Sequence, residues 1–322
     1  MSTILAIDIG GTKIAVGVTT REELARDARF TTLRKEPVPA PGDPPTVIAR
    51  VLEIAREIAP ASGYDEIGIA IGGPLDHERG TVVNFPHLPG WKNVMLCDEI
   101  ARALGAPARL DNDANLGALA EHWLGAGRRV RTMLYMTIST GIGGGLIIDD
   151  RLVHGVASAA AEVGHITVQT DGPLCDCGNA GCLERMASGT NIAREARELI
   201  AADPARGARL LELCGGDRAE LTSEHIVAAV TDGDPLAMEI WERAIRYLAI
   251  GIGSILHVVA PPLVVLGGGV SQAGELLLAP LRRELARHVF YVPLDQISIV
   301  TAELGHDSAL LGAAVLASHS RL

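Results

Sequence analysis

Three glycine-rich turns, each next to an apolar run, constrain the fold of this chain more than any other feature. They occupy residues 10–13, 139–145 and 267–269. Glycine lets backbone N–H groups approach an anion closely, because no side chain stands in the way. One such turn alone would equally be an ordinary tight hairpin. The three together predict an α/β protein that binds a nucleotide.

The first two turns differ from the common nucleotide-binding fingerprints. The sequence has no GxxxxGK[ST] motif, so residues 10–13 do not form a P-loop. The second turn has Leu146 where a GxGxxG pattern starting at Gly141 requires glycine, which disfavours dinucleotide binding. Asp8, near the end of the first apolar run, could hold Mg²⁺ through water. The alternative is that Asp8 only caps the turn.

Apolar runs alternate with helical patterns, which predicts an α/β fold with mixed sheets. The predicted strands are 3–9, 14–19, 67–71, 107–110, 263–266 and 297–301. The predicted helices are 44–59, 94–104, 114–124, 189–202, 205–214, 223–231, 235–258, 274–288 and 307–318. Residues 133–148 repeat the opening pattern of strand, glycine turn and strand. This repeat indicates two related halves, or alternatively two unrelated hairpins.

Length and charge exclude several classes of protein. A chain of 322 residues, 48% of them apolar, suits about two globular domains. Its net charge of −11 argues against nucleic acid or membrane lipid as the main partner. The first residues do not read as a signal peptide, and His257 and two prolines interrupt the longest apolar stretch, 248–266. We therefore expect a cytoplasmic protein without a membrane span.

The segment 111–115, Asp-Asn-Asp-Ala-Asn, places carboxylates where a strand passes into a helix. Carboxylates at strand ends of α/β sheets point into the ligand crevice, and a helix N-terminus keeps Asp113 ionised. An ionised Asp113 suits a general base that takes the proton from an attacking sugar hydroxyl. The alternative is that these residues only cap the helix, as Asp and Asn routinely do.

One imidazole and three thiols are spaced as a zinc site. His165 is followed by Cys175, Cys177 and Cys182, with glycines between the last two thiols. Tetrahedral zinc takes such ligands, and four protein ligands predict a closed structural site. The alternatives are a disulfide or scattered core cysteines.

Polar residues flank this segment on both sides. Glu162 precedes His165 by three residues, and Glu184 follows Cys182 by two. A loop fixed by metal would present both carboxylates as acceptors for sugar hydroxyls, although either Glu alone could be an ordinary solvated charge. Asn84 and Trp91 could line a crevice, but an aromatic residue in a loop more often packs.

These motifs resemble the ROK family of sugar kinases and repressors, within the actin-like and hexokinase-like ATPase superfamily. The similarity spans nearly the whole chain and is carried by residues 8–18, 71–74, 84 with 91, 112–115, 139–145, 162–165, 175–184 and 266–270. The cysteine motif followed by Glu184 is the most specific part. Asp111 departs mildly from the pattern, because kinases of this kind often have Glu there.

The resemblance implies a two-domain, ribonuclease H-like ATPase fold with mixed sheets and a ligand cleft between the lobes. A small N-terminal α/β domain would comprise residues 1–112, completed by the C-terminal helix 306–322. A large α/β domain, 113–305, would carry the zinc-binding loop 165–182. We also expect a homo-oligomer, either a dimer or a tetramer.

The resemblance further implies a role for each candidate residue. Asp113 looks like the catalytic base. The sugar would be bound by Gly72, Asn84, Asn112, Asp113, Glu162, His165 and Glu184. ATP and Mg²⁺ would be bound by Asp8, Gly10, Gly11, Thr12, Lys13, Thr140, Gly141, Gly143, Gly144, Gly267, Gly268 and Gly269. The structural zinc would be held by His165, Cys175, Cys177 and Cys182, so that His165 serves zinc and sugar together.

The activity implied is that of an ATP:hexose 6-phosphotransferase, resembling the zinc-containing glucokinases that phosphorylate the 6-hydroxyl of D-glucose. The first alternative is a ROK kinase for N-acetylmannosamine, N-acetylglucosamine, mannose or fructose. The second is a sugar-responsive transcriptional regulator, for which we expect no room before the strand at Thr3 for a helix-turn-helix. The third is a silent sugar-binding module, which the presence of Asp113 disfavours.

Overall fold

The computed structural model describes residues 2–319, within which the chain forms thirteen strands and eleven α-helices. Residues 320–322, part of the predicted segment 306–322, lie outside this range. The strands are β1 (Thr3–Ile9), β2 (Lys13–Thr20), β3 (Thr32–Pro37), β4 (Glu66–Ile71), β5 (Leu75–Asp76), β6 (Thr81–Asn84), β7 (Lys92–Val94), β8 (Ala108–Asn112), β9 (Met133–Ile138), β10 (Ile142–Ile148), β11 (Arg151–Leu152), β12 (Leu263–Gly267) and β13 (Ser298–Thr301).

The helices alternate with these strands in the first part of the chain and dominate between residues 183 and 259. They are α1 (Arg21–Asp27), α2 (Pro44–Glu57), α3 (Leu96–Leu104), α4 (Asp113–Leu124), α5 (Leu183–Ala187), α6 (Gly189–Ala202), α7 (Ala208–Leu213), α8 (Ser223–Thr231), α9 (Pro235–Val259), α10 (Glu275–Leu285) and α11 (Ser308–Ser318). None of the helices within residues 2–319 has the length and apolar character needed to cross a bilayer.

The first sheet has the strand order β3-β2-β1-β4-β8. Strands β1 and β2 form an antiparallel hairpin, whereas β4 and β8 follow β1 in parallel. Ile9 pairs with Ile71, and Ile71 pairs with Asn112, so the carboxyl ends of β1, β4 and β8 share one edge of the sheet. Neighbouring strands lie about 4.8 Å apart, so this edge spans about 10 Å from β1 to β8.

Strands β1 and β4 are buried on both faces, which explains their continuous apolar sequences. Alternate residues of β1 point to opposite faces: Leu5, Ile7 and Ile9 join a core with α2 and α3, whereas Ile4 and Ala6 join one with α4 and α11. On the second face the backbones approach closely. A Cβ at Gly68 would lie 1.8 Å from the Ala313 carbonyl oxygen, and one at Gly312 would lie 1.9 Å from that of Leu116.

The second sheet has the order β11-β10-β9-β12-β13, with β12 and β13 parallel. It repeats the arrangement of the first sheet, in which three consecutive strands stand in reverse order and two later strands complete the row. This repetition supports the interpretation of two related halves, which the sequence left open.

The chain divides into two compact units. The first comprises residues up to 135, residues 145–161 and those from 303 onward; the second comprises residues 136–144 and 162–302. Helices α4 and α11 both belong to the first unit. The boundaries predicted after residues 112 and 305 stay a prediction.

Candidate active site

The first unit gathers candidate residues at the shared edge of its sheet. Strand β1 ends one residue after Asp8, and the N–H of Gly10 donates to the Lys13 carbonyl oxygen at 2.9 Å, which closes the first glycine turn. A Cβ at Gly11 would lie 3.0 Å from the Cβ of His87, so the turn packs against that residue. The side chains of Thr12 and Lys13 are exposed. The turn therefore presents its polar groups to solvent.

Asp8 lies among other carboxylates. Burial, and after it the negative charges of Asp113 and Asp307, raise the pKa of Asp8 to about 7, and the charge of Lys35 opposes this rise. Lys35 is itself paired with Asp307. A cation placed beside Asp8 would offset this accumulation of negative charge.

Asp113 is the first residue of α4, and the preceding Asn112 caps that helix. The N–H of Ala114 donates to Oδ1 of Asn112 and to Oδ1 of Asp113, both at 2.9 Å. Solvent reaches Asp113, although the surrounding protein desolvates its carboxylate. Desolvation raises the pKa of Asp113, and the Ala114 N–H and the charge of His87 oppose that rise. The group is thus tuned toward a stronger base than a fully solvated Asp.

Gly72 and Asn84 lie at the same edge. A Cβ at Gly72 would stand 3.8 Å from Oδ2 of Asp113, and one at Gly73 would stand 2.3 Å from the carbonyl oxygen of Asn84. The first unit thus brings the predicted residues Asp8, Gly10, Gly11, Gly72, Asn84, Asn112 and Asp113 to one sheet edge.

Trp91 belongs to the core. Its side chain is 1% exposed, and its indole N–H donates to the Gly42 carbonyl oxygen at 2.9 Å. The packing interpretation of this aromatic residue is therefore confirmed.

Sequence reasoning missed Asp307, Lys35 and His87 as neighbours of Asp8, Asp113 and the first glycine turn. The residues are distant in the chain: Lys35 lies within the polar stretch of β3, and Asp307 stands directly before α11. Only the position of Asp307 at a helix start could have indicated it.

The second unit holds the second glycine turn against Glu184. The N–H of Ile142 donates to Oε2 of Glu184 at 2.8 Å, and a Cβ at Gly141 would lie 2.4 Å from that same oxygen. The turn is closed by the Ser139 N–H, which donates to the Gly141 carbonyl oxygen at 2.9 Å. Glycine at position 141 therefore leaves the space that the Glu184 carboxylate needs to reach the turn.

The third glycine turn lies where the second one begins. A Cβ at Gly268 would stand 2.4 Å from the carbonyl oxygen of Ile138, the last residue of β9, and Gly268 has φ +82°. The Ser271 hydroxyl donates to the Gly268 carbonyl oxygen at 2.7 Å. A Cβ at Gly269 would meet nothing within 4 Å, so its backbone is open to a flat ligand.

The short helical turn 163–165 packs on the start of β10. A Cβ at Gly164 would lie 2.0 Å from the carbonyl oxygen of Ile142, so only glycine allows this contact. The neighbouring His165 is thereby held near the second glycine turn. Glu162, directly before this turn, is exposed.

His165 also belongs to a cluster of metal-ligating side chains in the second unit. The ligand atoms of His165, Cys175, Cys177 and Cys182 all lie within 4.8 Å of one another. Sγ of Cys177 is 3.6 Å from Sγ of Cys182, close to the spacing of about 3.8 Å that tetrahedral zinc imposes on two sulfurs. The cysteines of the described chain are free, so the disulfide alternative is not realised.

The backbone of this loop is shaped around the cluster. Cys175 and Asn179 are joined by a 2.8 Å hydrogen bond, and Gly178 and Gly181 adopt φ +92° and +67°. A Cβ at Gly181 would lie 1.7 Å from the Gln169 carbonyl oxygen. Burial, together with the neighbouring Cys177 and Cys175, raises the pKa of Cys182 to about 12, a cost that a bound divalent cation offsets. The donor set and its spacing therefore fit zinc.

The chain has close relatives among known proteins. A sequence model of the ROK family matches residues 4–320. A glucokinase from Thermotoga maritima is 33% identical over 316 residues, which are 97% of this chain and 96% of the relative. An N-acetylmannosamine kinase from Citrobacter koseri is 32% identical, over 98% of this chain and 99% of the relative.

A solved structure shares the fold. It is a ROK family glucokinase from Streptomyces griseus in complex with glucose and AMPPNP, with a TM-score of 0.84 and 33% identity over 98% of this chain and 99% of that one. The predicted α/β fold class is confirmed by this likeness and by the mixed sheets.

Proposed function

The chain belongs to the ROK family, and from that membership we propose that it transfers the terminal phosphoryl group of ATP to the 6-hydroxyl of D-glucose. The relatives named as glucokinases support this substrate, because they match the chain over nearly its whole length. The observation that carries the proposal is the sheet edge of the first unit, where Asp113 and the first glycine turn follow parallel strands in register.

Asp113 is the proposed general base. Its carboxylate would take the proton of the 6-hydroxyl as that oxygen attacks phosphorus, and the rise in its pKa favours this proton transfer. Phosphoryl transfer spreads charge over the equatorial oxygens of the phosphoryl group, so positioning and charge stabilisation supply most of the rate. The general base then contributes a smaller share of the rate enhancement.

The proposed sugar-binding residues are Gly72, Asn84, Asn112, Asp113, Glu162, His165 and Glu184. Nδ1 of His165 is the ring nitrogen 3.9 Å from Sγ of Cys175, which supports its use as the metal donor. Nε2 of His165 then remains for a sugar hydroxyl. Glu184 would accept from the sugar with the oxygen that Ile142 does not use.

The proposed ATP and Mg²⁺ residues lie on three turns. Asp8, Gly10, Gly11, Thr12 and Lys13 would hold phosphate and metal; Thr140, Gly141, Gly143 and Gly144 would form the second phosphate loop; and Gly267, Gly268 and Gly269 would lie beside the adenosine. Mg²⁺ at Asp8 would neutralise charge on the transferred group. Zinc at the cysteine cluster would be structural, because all its ligands are protein side chains.

Replacing Gly141 with alanine is expected to weaken glucose binding about tenfold, the effect of losing one charge-assisted hydrogen bond. The new Cβ would collide with Oε2 of Glu184 and displace the carboxylate. Because that oxygen ends a flexible side chain, the melting temperature should change little. Isothermal titration with glucose and thermal melting measure the two effects. Adding Gly141→Ala to Glu184→Ala should cost nothing further, because the carboxylate that the new Cβ would displace is already absent, and full additivity would contradict this mechanism.

The purified protein with ATP and Mg²⁺ tests the proposed function. We expect ADP release with glucose at the highest kcat/KM among glucose, mannose, fructose, N-acetylglucosamine and N-acetylmannosamine. No ADP above background with any sugar would overturn the kinase proposal. Preference for N-acetylmannosamine would favour the second candidate, which the similarity to the Citrobacter koseri kinase supports. Cytoplasmic location and homo-oligomeric assembly stay predictions from the sequence.

A further inference from the structure

Two stacked imidazoles of the first unit reach Asp111, two residues before the candidate base Asp113. The rings of His77 and His154 are 3.6 Å apart and tilted by only 5°. Nε2 of His154 is 2.6 Å from Oδ2 of Asp111, whose residue is 1% exposed. Nδ1 of His77 is 2.7 Å from the hydroxyl oxygen of Ser158. Asp111 is therefore the buried end of a chain of contacts that runs through the two stacked rings to Ser158.

The other oxygen of Asp111 holds the start of α4. Oδ1 accepts the N–H of Asn112 at 2.7 Å and the side-chain amide of Asn115 at 2.9 Å. One bond reaches the helix cap and the other reaches the first helical turn. The position of this carboxylate thus sets the direction in which the chain passes from Asn112, the last residue of β8, into Asp113.

His154 fixes that direction. A carboxylate buried this far needs a donor on each oxygen, and His154 supplies the one on Oδ2. A cavity of about 410 Å³ borders His77, His154 and Asp111. In the absence of the imidazole, water from this cavity would restore a hydrogen bond without restoring its geometry. Removing the imidazole would then change the position of the Asp111 carboxylate more than it lowers the stability of the protein.

The far end of the contact chain is anchored in a strained segment. Ala157, Ser158 and Ala161 have φ of +53°, +58° and +60°, a conformation that residues with a Cβ rarely adopt. Such residues persist only where contacts hold them, and His77 supplies one to Ser158. This segment continues into Glu162.

We propose that His154 is a positioning residue for phosphoryl transfer, which holds the Asp111 carboxylate and thereby aims Asp113. His77 supports it by stacking on its ring and by anchoring Ser158. The catalytic meaning of this role rests on the proposed function. The local structural role does not, so the two can be tested separately.

The kinetic test compares His154→Ala, His154→Gln and the wild type. A shift of about 1 Å at a reacting group can cost about 100-fold, so we expect the alanine variant to lose 10-fold to 100-fold in kcat with its KM for ATP unchanged. The amide of glutamine can replace Nε2, so His154→Gln should stay within about threefold of the wild type. His257→Ala is the matched control, because His257 is exposed and its Nδ1 is 2.8 Å from the Gly253 carbonyl oxygen of its own helix.

Hydrogen–deuterium exchange supplies a readout that does not need turnover. The amides of Asn112 and Ala114 should exchange at least tenfold faster in His154→Ala and stay near the wild type in His154→Gln and His257→Ala. Unchanged exchange at these amides, or an alanine variant with more than half of the wild-type kcat, would overturn the proposal. Glutamine as damaging as alanine would also overturn it. An inactive wild type would end the kinase proposal, whereas the exchange result would still decide the role of His154.

Discussion

Replacing Asp113 with asparagine is expected to reduce kcat by about 10² to 10⁴, the range usual for the loss of a general base. Asparagine keeps the size and polarity of the side chain but cannot take the proton of the sugar hydroxyl. Binding of glucose should stay nearly intact, because the other proposed sugar contacts are untouched. Steady-state kinetics and glucose titration measure the two quantities.

A matched substitution separates this effect from a change of charge. Asp149 belongs to the same unit and is 72% exposed in a loop, where it pairs with Arg131. Asp149→Asn should therefore leave kcat within about twofold, because an exposed ion pair contributes little. Near-normal turnover in Asp113→Asn would remove Asp113 from the role of base.

The second large effect is expected from a substitution in the cysteine cluster. Cys177→Ser is expected to lose the zinc and to lower the free energy of unfolding on the order of 4 kcal/mol, as the loss of a structural metal does. The loop 175–182 has little apolar core of its own, because residues 176–179 are exposed. Elemental analysis and denaturant unfolding test the two parts of this prediction.

Cys214→Ser is the control for this experiment. Cys214 lies in the same unit but outside the cluster, and its thiol donates to the Leu211 carbonyl oxygen. Its replacement should leave zinc content unchanged. One mole of zinc retained per mole of Cys177→Ser would contradict the assignment of Cys177 as a ligand.

The sequence predicted the buried elements well because their signals are local. Helix α9 was expected at 235–258 and spans Pro235–Val259, since Asp234 caps it and Pro235 suits its first turn. The edge strand β3 escaped prediction, because most of its residues are polar or partly exposed. The helix expected at 205–214 is a 3₁₀ turn, Pro204–Gly207, followed by the shorter α7. There Gly207 packs against Ile200, where a Cβ would lie 2.4 Å away.

The candidate site was predictable only in part, because only its local sequence signals can be recognised without the fold. The glycine turns and the cysteine cluster depend on short spacings, so the sequence displays them. The contact of Asp111 with His154 joins residues 43 apart, and that of Ile142 with Glu184 joins residues 42 apart. No periodicity links such partners, because the fold alone brings them together.

Helix α11 affects when the first unit can fold during synthesis. Residues 310, 311 and 313–317 supply half of the core on one face of the first sheet, and Gly312 lets the helix touch the backbone of α4. A growing polypeptide that has produced every strand of that sheet still leaves this face open to water. The first unit can bury this face only after residues 308–318 have been synthesised, so its apolar surface stays exposed during translation while the intervening chain is made.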